Sequence, residues 1–171
     1  LARFEPERQA KLEQFLPGAA RAENPVDLLG DARADRFDFA LQQILDDPQV
    51  DAILVLVTPQ AMTDMVQTAE VIVRAAAQAS IPVLACLMGQ ASLGRGPDIL
   101  QQHNVPRFPF PERAARALYA MNQYRLLRMA PIPQFDSLEV DRARVSSAIQ
   151  AVRAAGRVSI GDFEAREILL A

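Results

Sequence analysis

A continuous apolar run that leads into an amphipathic helix constrains the fold of this chain more than any other stretch. Residues 50–57 read VDAILVLV, and a run this rich in Ile, Leu and Val is typical of a parallel strand covered on both faces. The turn TPQAMTD follows at 58–64, and in segment 65–79 apolar residues recur at the spacing of one helical face. The two elements form a βα unit, and in an open α/β sheet the turn between them borders the crevice where ligands bind.

The turn at 58–64 leads into a helix N-terminus, where backbone N–H groups lack intrahelical partners. The helix dipole adds a partial positive charge at the same end, so phosphate or another anion is a suitable ligand. The sequence therefore predicts an anion-binding turn. The same pattern is also typical of a purely structural connection, and both interpretations stay open at this point.

Strands and helices alternate through the first 129 residues. Leu1–Phe4 is expected to end a strand, and Asp31 or Asp35 is expected to cap the helix that contains Phe37. That helix is expected to end at 46–48. Further helices are predicted at 6–16, 97–103 and 111–128, and strands at 81–88 and 105–108. The last of these helices is expected to turn four side chains inward: Ala115, Leu118, Tyr119 and Asn122. This alternation indicates a parallel sheet with helices on both faces, with the doubly wound arrangement as the default.

The character of the sequence changes after Met129. Residues 130–138 are predicted to be a Pro-bearing linker, and 139–171 a helical extension. One helix is expected to end near Gly156. A second is expected to begin at Ser159, with Asp162 completing a variant of the capping box, and to be still running at the last residue.

The overall composition excludes several classes of function. A net charge of −3 argues against nucleic acid or an anionic membrane surface as the main partner. No apolar run approaches the ~20 residues that span a bilayer, and no leader peptide is recognisable, so a cytoplasmic location is expected. Because Cys86 is the only cysteine, disulfides and thiolate metal sites are excluded, and its apolar surroundings predict a core residue.

Residues that carry catalysis are scarce in this chain. His103 is the only histidine and resembles a polar helix end, so neither a Cys/His pair nor a His-based metal cluster is available. The sequence contains no GxSxG, GxxxxGK[ST] or GxGxxG motif. We therefore predict no catalytic residue and no metal site among these residues, and the anion-binding turn is the only candidate site.

Three segments together resemble a known family. They are NPVDLLGDA at 24–32, VDAILVLVTPQAMTD at 50–64 and VPRFPFPERAARALYAM at 105–121. Their order and spacing resemble the ligase-CoA domain of NDP-forming acyl-CoA synthetases, the acetate–CoA ligase (ADP-forming) family. The same module occurs in lysine acetyltransferases that carry a GNAT domain, and the C-terminal domain of the succinyl-CoA synthetase β subunit is more distantly similar. The likeness covers about residues 1–129, and the tail 159–171 resembles the opening helix of an ATP-grasp domain.

The resemblance implies that the parent protein converts acyl-CoA, ADP and phosphate into acid, CoA and ATP, with a phosphohistidine carrying the phosphoryl group. That histidine would belong to a neighbouring domain, since no family motif surrounds His103. This module would supply a helix N-terminus that faces the phosphohistidine. In this sequence the facing residues would be Thr58, Gln60, Ala61, Met62 and Thr63.

The loop at 24–32 is expected to lie beside that turn. Our hypothesis is that Asn24 and Asp27 fix the loop through side-chain-to-backbone bonds and that Gly30 permits a close backbone approach, with Asp31 as a further loop-shaping residue. Direct contact of these residues with a ligand stays an alternative to a purely structural role.

One departure from the family concerns the start of the module. Its first strand and helix would precede Leu1, so the resemblance implies a flavodoxin-like doubly wound sheet without its first strand–helix unit. In the order 2-1-3-4-5 that strand is central, and its loss is expected to open two strand edges. The CoA-binding, phosphohistidine and ATP-grasp domains would be the partners of this module within the parent protein. A homodimer is left open.

These residues alone are expected to show no complete activity and to bind no cofactor, whereas the parent is expected to use CoA, ADP or ATP, and Mg. Two alternatives to the synthetase remain. The first is a regulatory module that senses CoA or acyl-CoA in a GNAT-fused lysine acetyltransferase. The second is a non-catalytic flavodoxin-like binding domain.

Overall fold

The chain divides into two compact units, Leu1–Met129 and Ala130–Ala171. The computed structural model describes residues 1–89, 93–132 and 139–171. Most of the linker predicted at 130–138 lies outside the described residues, and so do positions 90–92 of the glycine-bearing segment that follows the second predicted strand. None of the helices in the described ranges combines the length and the apolar character needed to cross a membrane.

In the first unit two helices precede an alternation of strands and helices. The elements are α1 (Pro6–Phe15), α2 (Ala34–Ile44), β1 (Ile53–Val57), α3 (Met65–Gln78), β2 (Val83–Leu87), α4 (Gly96–Gln102), β3 (Arg107–Phe108) and α5 (Pro111–Met129). The described strands form one sheet in the order β1-β2-β3, and both pairs are parallel. The predicted α/β class with a parallel sheet is therefore confirmed.

One face of the sheet packs against α2, α3 and α4. The side chains of Ile53, Val55 and Val57 on β1 belong to this core, and so do alternate residues of β2. On α3 the small or compact residues Ala69 and Ile72 have no exposed surface. The helix therefore lies close to the sheet, and this packing fixes where the helix lies.

The other face of the sheet is covered by α5. Leu84 and Cys86 point to this side of β2 and are almost completely buried. The prediction that Cys86 is a core residue is confirmed. Burial raises the pKa of its thiol, and the nearby carboxylate of Glu112 raises it further, so the thiol stays protonated near neutral pH.

The prediction that the 50–57 run is covered on both faces is wrong for β1. All five residues of β2 are buried, but on β1 Leu54 is only partly buried and Leu56 is 48% exposed. The reason is that α5 covers β2, while no described element fully covers this side of β1. An apolar run indicates which strand residues are suited to burial. Whether a face of the strand is in fact covered depends on helices and strands elsewhere in the chain.

Three further expectations for the first unit need correction. Leu1–Phe4 forms no strand, although Ala2 and Phe4 pack against the core. The N-cap of α2 is Arg33, which makes no side-chain capping bond, instead of Asp31 or Asp35. The buried residue of α5 is Ala114, whereas Ala115, Tyr119 and Asn122 are exposed and Leu118 is half-buried. The apolar residues of α5 itself lie on most sides of the helix, so the spacing of these residues does not define one inward face.

The second unit contains two helices among its described residues, α6 (Arg142–Ala154) and α7 (Asp162–Leu169). The Asp141 carboxylate caps α6 by accepting a hydrogen bond from the Arg144 N–H at 3.0 Å. The capping box predicted at Ser159 and Asp162 is wrong, because α7 starts after Gly161, whose N–H donates to Glu164 Oε2 at 3.0 Å. The helix ends at Leu169 and does not run on to the last residue.

A buried carboxylate at the end of α2 provides a test of this fold. Asp47 is 3% exposed, and it accepts hydrogen bonds from the Glu5 N–H at 3.0 Å and the Gln49 N–H at 2.9 Å. We expect Asp47→Ala to lower the free energy of unfolding by about 3 kcal/mol, because two backbone N–H donors lose a charged acceptor that is itself buried. The neighbouring variant Asp46→Ala changes an exposed side chain. Its free energy of unfolding, measured in urea, should stay within about 0.5 kcal/mol of the unsubstituted protein. Equal losses for the two variants would contradict this assignment.

Candidate functional site

The turn between β1 and α3 lies at the carboxyl edge of the sheet and is open to solvent. Thr58, Gln60, Ala61 and Met62 are exposed, and Thr63 is half-buried. The turn is closed by two internal hydrogen bonds, from the Gln60 N–H to Thr63 Oγ1 and from the Thr63 N–H to the Gln60 carbonyl, both 3.0 Å. The five residues singled out from the sequence therefore form one exposed, hydrogen-bonded turn.

The N-terminus of α3 carries its own carboxylate. Asp64 Oδ1 accepts from the N–H groups of Val66 and Gln67, each at 3.0 Å, and the buried Thr68 hydroxyl donates to the Asp64 carbonyl at 2.7 Å. Two of the first N–H groups of the helix are thus already bonded to a negative group. This finding narrows the predicted anion site, because the helix end itself is not free to receive a phosphate.

Several amides remain available in the turn, two of them at its tip. Among the described residues, the N–H groups of Ala61 and Met62 make no hydrogen bond to the protein. Both residues are exposed, so these N–H groups can donate to a ligand from the solvent side.

A close contact with α4 fixes the start of α3. A Cβ atom built on Gly96 would lie 3.0 Å from the Met65 carbonyl oxygen, so any larger residue would push the two helices apart. The turn at 58–63 is therefore attached to a helix whose first residue is held by the next helix along the chain.

The loop at 24–32 is shaped by side-chain-to-backbone bonds. The Asn24 amide donates to the Ala2 carbonyl at 3.0 Å, and Asp27 Oδ1 accepts from the Leu29 N–H at 2.9 Å. Leu29 adopts a left-handed conformation with φ of 67°. Such a conformation costs a non-glycine residue roughly 1–2 kcal/mol, so the surrounding bonds must hold it in place.

Gly30 lies directly beside the turn. A Cβ atom built on Gly30 would be 3.7 Å from Gln60 Cγ, an ordinary van der Waals contact. The close backbone approach expected of Gly30 is therefore not required here, since the left-handed residue is its neighbour Leu29 and a methyl group would fit. The two loops nevertheless lie side by side.

Arg36, in the first turn of α2, holds the same loop. Its Nη1 donates to the Leu28 carbonyl at 2.7 Å and to Asp31 Oδ1 at 2.6 Å. The bond to the guanidinium lowers the pKa of the Asp31 carboxyl below its ordinary value. Asp31 thus contributes to the loop as the acceptor of Arg36 and not as a helix cap.

An open pocket of about 390 Å³ joins the turn to the start of α2. It is lined by Arg33, Ala34, Met62, Asp64 and Gln67. Arg33 makes no salt bridge or side-chain hydrogen bond within the described residues, so its guanidinium is available to an anion. Sequence reasoning missed Arg33, and the one signal for it was a basic residue directly after the GDA of the 24–32 loop.

A larger groove of about 520 Å³ lies away from this site. It is bordered by the start of β2, the end of α4 and the flank of α5, including Val83, Leu84, His103 and Met121. His103 is the C-cap residue of α4, as its sequence context suggested. The groove lies at the amino edge of the sheet and shares no residue with the turn, so size alone does not identify the functional site.

A parallel α/β sheet with helices on both faces defines the class of open α/β domains, in which ligands bind at the carboxyl edge of the sheet. Within that class, the family of this chain can be identified. The model of the Ligase-CoA domain family matches residues 1–132, and the chain belongs to this family.

Proteins of known function resemble this chain over most of its length. It is 33% identical over 162 residues to "Acetate--CoA ligase [ADP-forming] I" of Archaeoglobus fulgidus, and 29% identical over 161 residues to "4-hydroxybutyrate--CoA ligase [ADP-forming]" of Nitrosopumilus maritimus. Each match covers 94% of this chain and 23% of the relative, so the chain spans less than a quarter of their length.

A solved structure has the same fold. The apo form of the dinucleotide forming acetyl-coenzyme A synthetase 1 from Ca. Korarchaeum cryptofilum matches with a TM-score of 0.64 and 30% sequence identity, over 75% of this chain and 30% of that one. The flavodoxin-like fold expected from the resemblance is therefore confirmed. The roles given to Asn24, Asp27 and the turn residues stay predictions.

The Asp64 cap can be tested by two substitutions at one position. Asp64→Ala removes the acceptor for two N–H groups, and we expect it to lower the free energy of unfolding by about 1 kcal/mol. Asp64→Asn keeps an acceptor oxygen. We therefore expect it to lower the free energy of unfolding by only a few tenths of a kcal/mol, about the difference between two good cap residues. Chemical unfolding of both variants measures the difference, and equal losses would argue against the cap.

Proposed function

We propose that this chain is the ligase-CoA domain of an ADP-forming acyl-CoA synthetase. The parent protein would convert acyl-CoA, ADP and phosphate into the free acid, CoA and ATP. The observation that carries the proposal is an exposed turn with available amides, those of Ala61 and Met62 among them, beside the unpaired Arg33, in a chain of the Ligase-CoA domain family. Both named relatives are ADP-forming CoA ligases, which favours the synthetase over a regulatory module of a lysine acetyltransferase.

The turn at 58–63 would face a phosphoryl group that a histidine of a neighbouring domain carries. Phosphoryl transfer depends mainly on positioning and charge stabilisation, so a domain without acid, base or nucleophile can serve it. The N–H groups of Ala61 and Met62 would donate to equatorial oxygens, and the guanidinium of Arg33 would supply the positive charge. Asp64 holds the end of α3, so the turn keeps its shape when the phosphoryl group arrives.

The other components of the reaction would bind elsewhere in the parent protein. Within the described residues no three His, Cys, Asp or Glu side chains are grouped as metal ligands, so we assign Mg and the nucleotide to an ATP-grasp domain. CoA would bind in a separate CoA-binding domain. Subunit organisation also varies in the family, since a matching relative in Pyrococcus furiosus is named as an α subunit.

The activity itself can be measured on the full-length protein. We expect release of CoA from a short acyl-CoA, with acetyl-CoA as the first probe, only when ADP and phosphate are both present. We also expect acid-labile phosphate on a histidine after incubation with ATP. Failure of a panel of acyl-CoA substrates to release CoA in this way would contradict the proposal.

Arg33→Met tests the role of the pocket. We expect the rate of enzyme phosphorylation to fall about 10- to 100-fold, because a charged group that faces the transferred phosphoryl is lost. Thr63→Val should slow the same step, since it removes the acceptor for the Gln60 N–H.

Arg74→Met is the matched control for these variants. Arg74 lies nine residues into α3 and pairs with Asp38 at 3.3 Å, away from the turn. We expect its phosphorylation rate to stay within about twofold of the parent, as for a surface ion pair. Rapid-quench measurement of phosphoenzyme compares all three variants, and unchanged rates in Arg33→Met and Thr63→Val would remove the role assigned to the turn.

A further inference from the structure

One nitrogen of Arg36 connects the start of α2 to two points of the 24–32 loop. Nη1 donates to the Leu28 carbonyl at 2.7 Å and to Asp31 Oδ1 at 2.6 Å, and the side chain is only 19% exposed. Charge-assisted bonds of this length are stronger than neutral ones. The loop is therefore attached to a helix that belongs to the core.

The peptide unit between Leu28 and Leu29 is held at both of its polar groups. Its carbonyl accepts from Arg36, and its N–H donates to Asp27 Oδ1 at 2.9 Å. Leu29 follows in the left-handed conformation, which a leucine adopts only where neighbouring bonds enforce it. Loss of the Arg36 bond would release one end of this peptide unit and allow Leu29 to return to an ordinary conformation.

Gly30, which follows Leu29, lies beside the turn at 58–63. Gln60 lies beside Gly30, since a Cβ atom built on Gly30 would be 3.7 Å from Gln60 Cγ, and the Gln60 N–H is bonded to Thr63 Oγ1. A shift of the loop at Leu29 would therefore change the space beside the Gln60 side chain.

We infer that Arg36 is a positioning residue for the turn at 58–63, acting through the 24–32 loop. It touches neither the pocket nor the phosphoryl group, and it sets where the turn's amides point. This inference rests on the proposed phosphoryl-facing role of the turn. Misplacement of a reacting group by about 1 Å can cost about 100-fold in rate, so a bond one loop away matters to the reaction.

The test compares Arg36→Met and Arg36→Lys in the full-length protein. For Arg36→Met we expect faster hydrogen exchange at amides 28–31 and 60–63, and phosphorylation about 10-fold slower, with the KM for ADP unchanged. Arg36→Lys should recover most of the rate, because both bonds come from a single nitrogen and a lysine ammonium can donate to both acceptors.

Arg8→Met is the matched structural control. Arg8 Nη1 and Nη2 donate to the carbonyls of Gln43 and Asp46, each at 2.9 Å, so Arg8 also binds the backbone twice but at the opposite end of α2, and its Nε makes a longer bond to Glu5 Oε2 at 3.4 Å. We expect faster exchange near 43–47 and a phosphorylation rate within about twofold of the parent, since these bonds lie away from the site.

Two results would overturn the inference: equal slowing of phosphorylation by Arg8→Met and Arg36→Met, or unchanged exchange at amides 60–63 in Arg36→Met. A parent protein without ligase activity would refute the proposed function instead. In that case the exchange measurement still decides whether Arg36 positions the turn, so the two failures are distinguishable.

Discussion

The packing of α3 against the parallel sheet is the interaction on which the rest of the first unit depends. Ala69, Ile72 and Ala75 are fully buried on this contact, and burying a single isoleucine side chain contributes about 1.5–3 kcal/mol. Because α3 starts at the carboxyl edge of β1, this packing also decides where the turn at 58–63 lies. The contact between Gly96 and the Met65 carbonyl then fixes the first residue of the helix. The candidate site is thus held by the hydrophobic core, with few bonds of its own.

The sheet is less complete than the sequence suggested. The resemblance predicted two open strand edges on either side of an absent central strand. The structure has one such edge, on β1, because residues 1–4 form no strand on the other side of the gap. Leu56 is 48% exposed beside that edge. An apolar strand with unpaired backbone groups favours addition of another strand.

Much of the fold could be predicted from local pattern, and the errors have physical causes. The bounds of α1, α3 and β2 follow from apolar spacing and from the flanking Pro, Asp and Gly residues. The inward face of α5 could not be read, because its apolar residues occupy most of its circumference. The turn at 58–63 was identified from its place after a buried strand, but Arg33 and Arg36 were missed. Both lie in a short run of mixed charge, and only the fold brings one to the pocket and the other to the Leu28 carbonyl.

The charges that line the pocket are the reason why we assign the anion to Arg33 and not to the helix end first singled out. Each helix N-terminus carries about half a positive charge, so the starts of α2 and α3 together contribute about +1. The carboxylate of Asp64 contributes −1 and is bonded to the amides of α3, which cancels this attraction. Without Arg33 the pocket would be close to neutral toward a phosphoryl group, and with it the pocket is positive by about one charge. A capped helix end therefore provides shape, through the turn that it anchors, while the arginine of the neighbouring helix provides the charge.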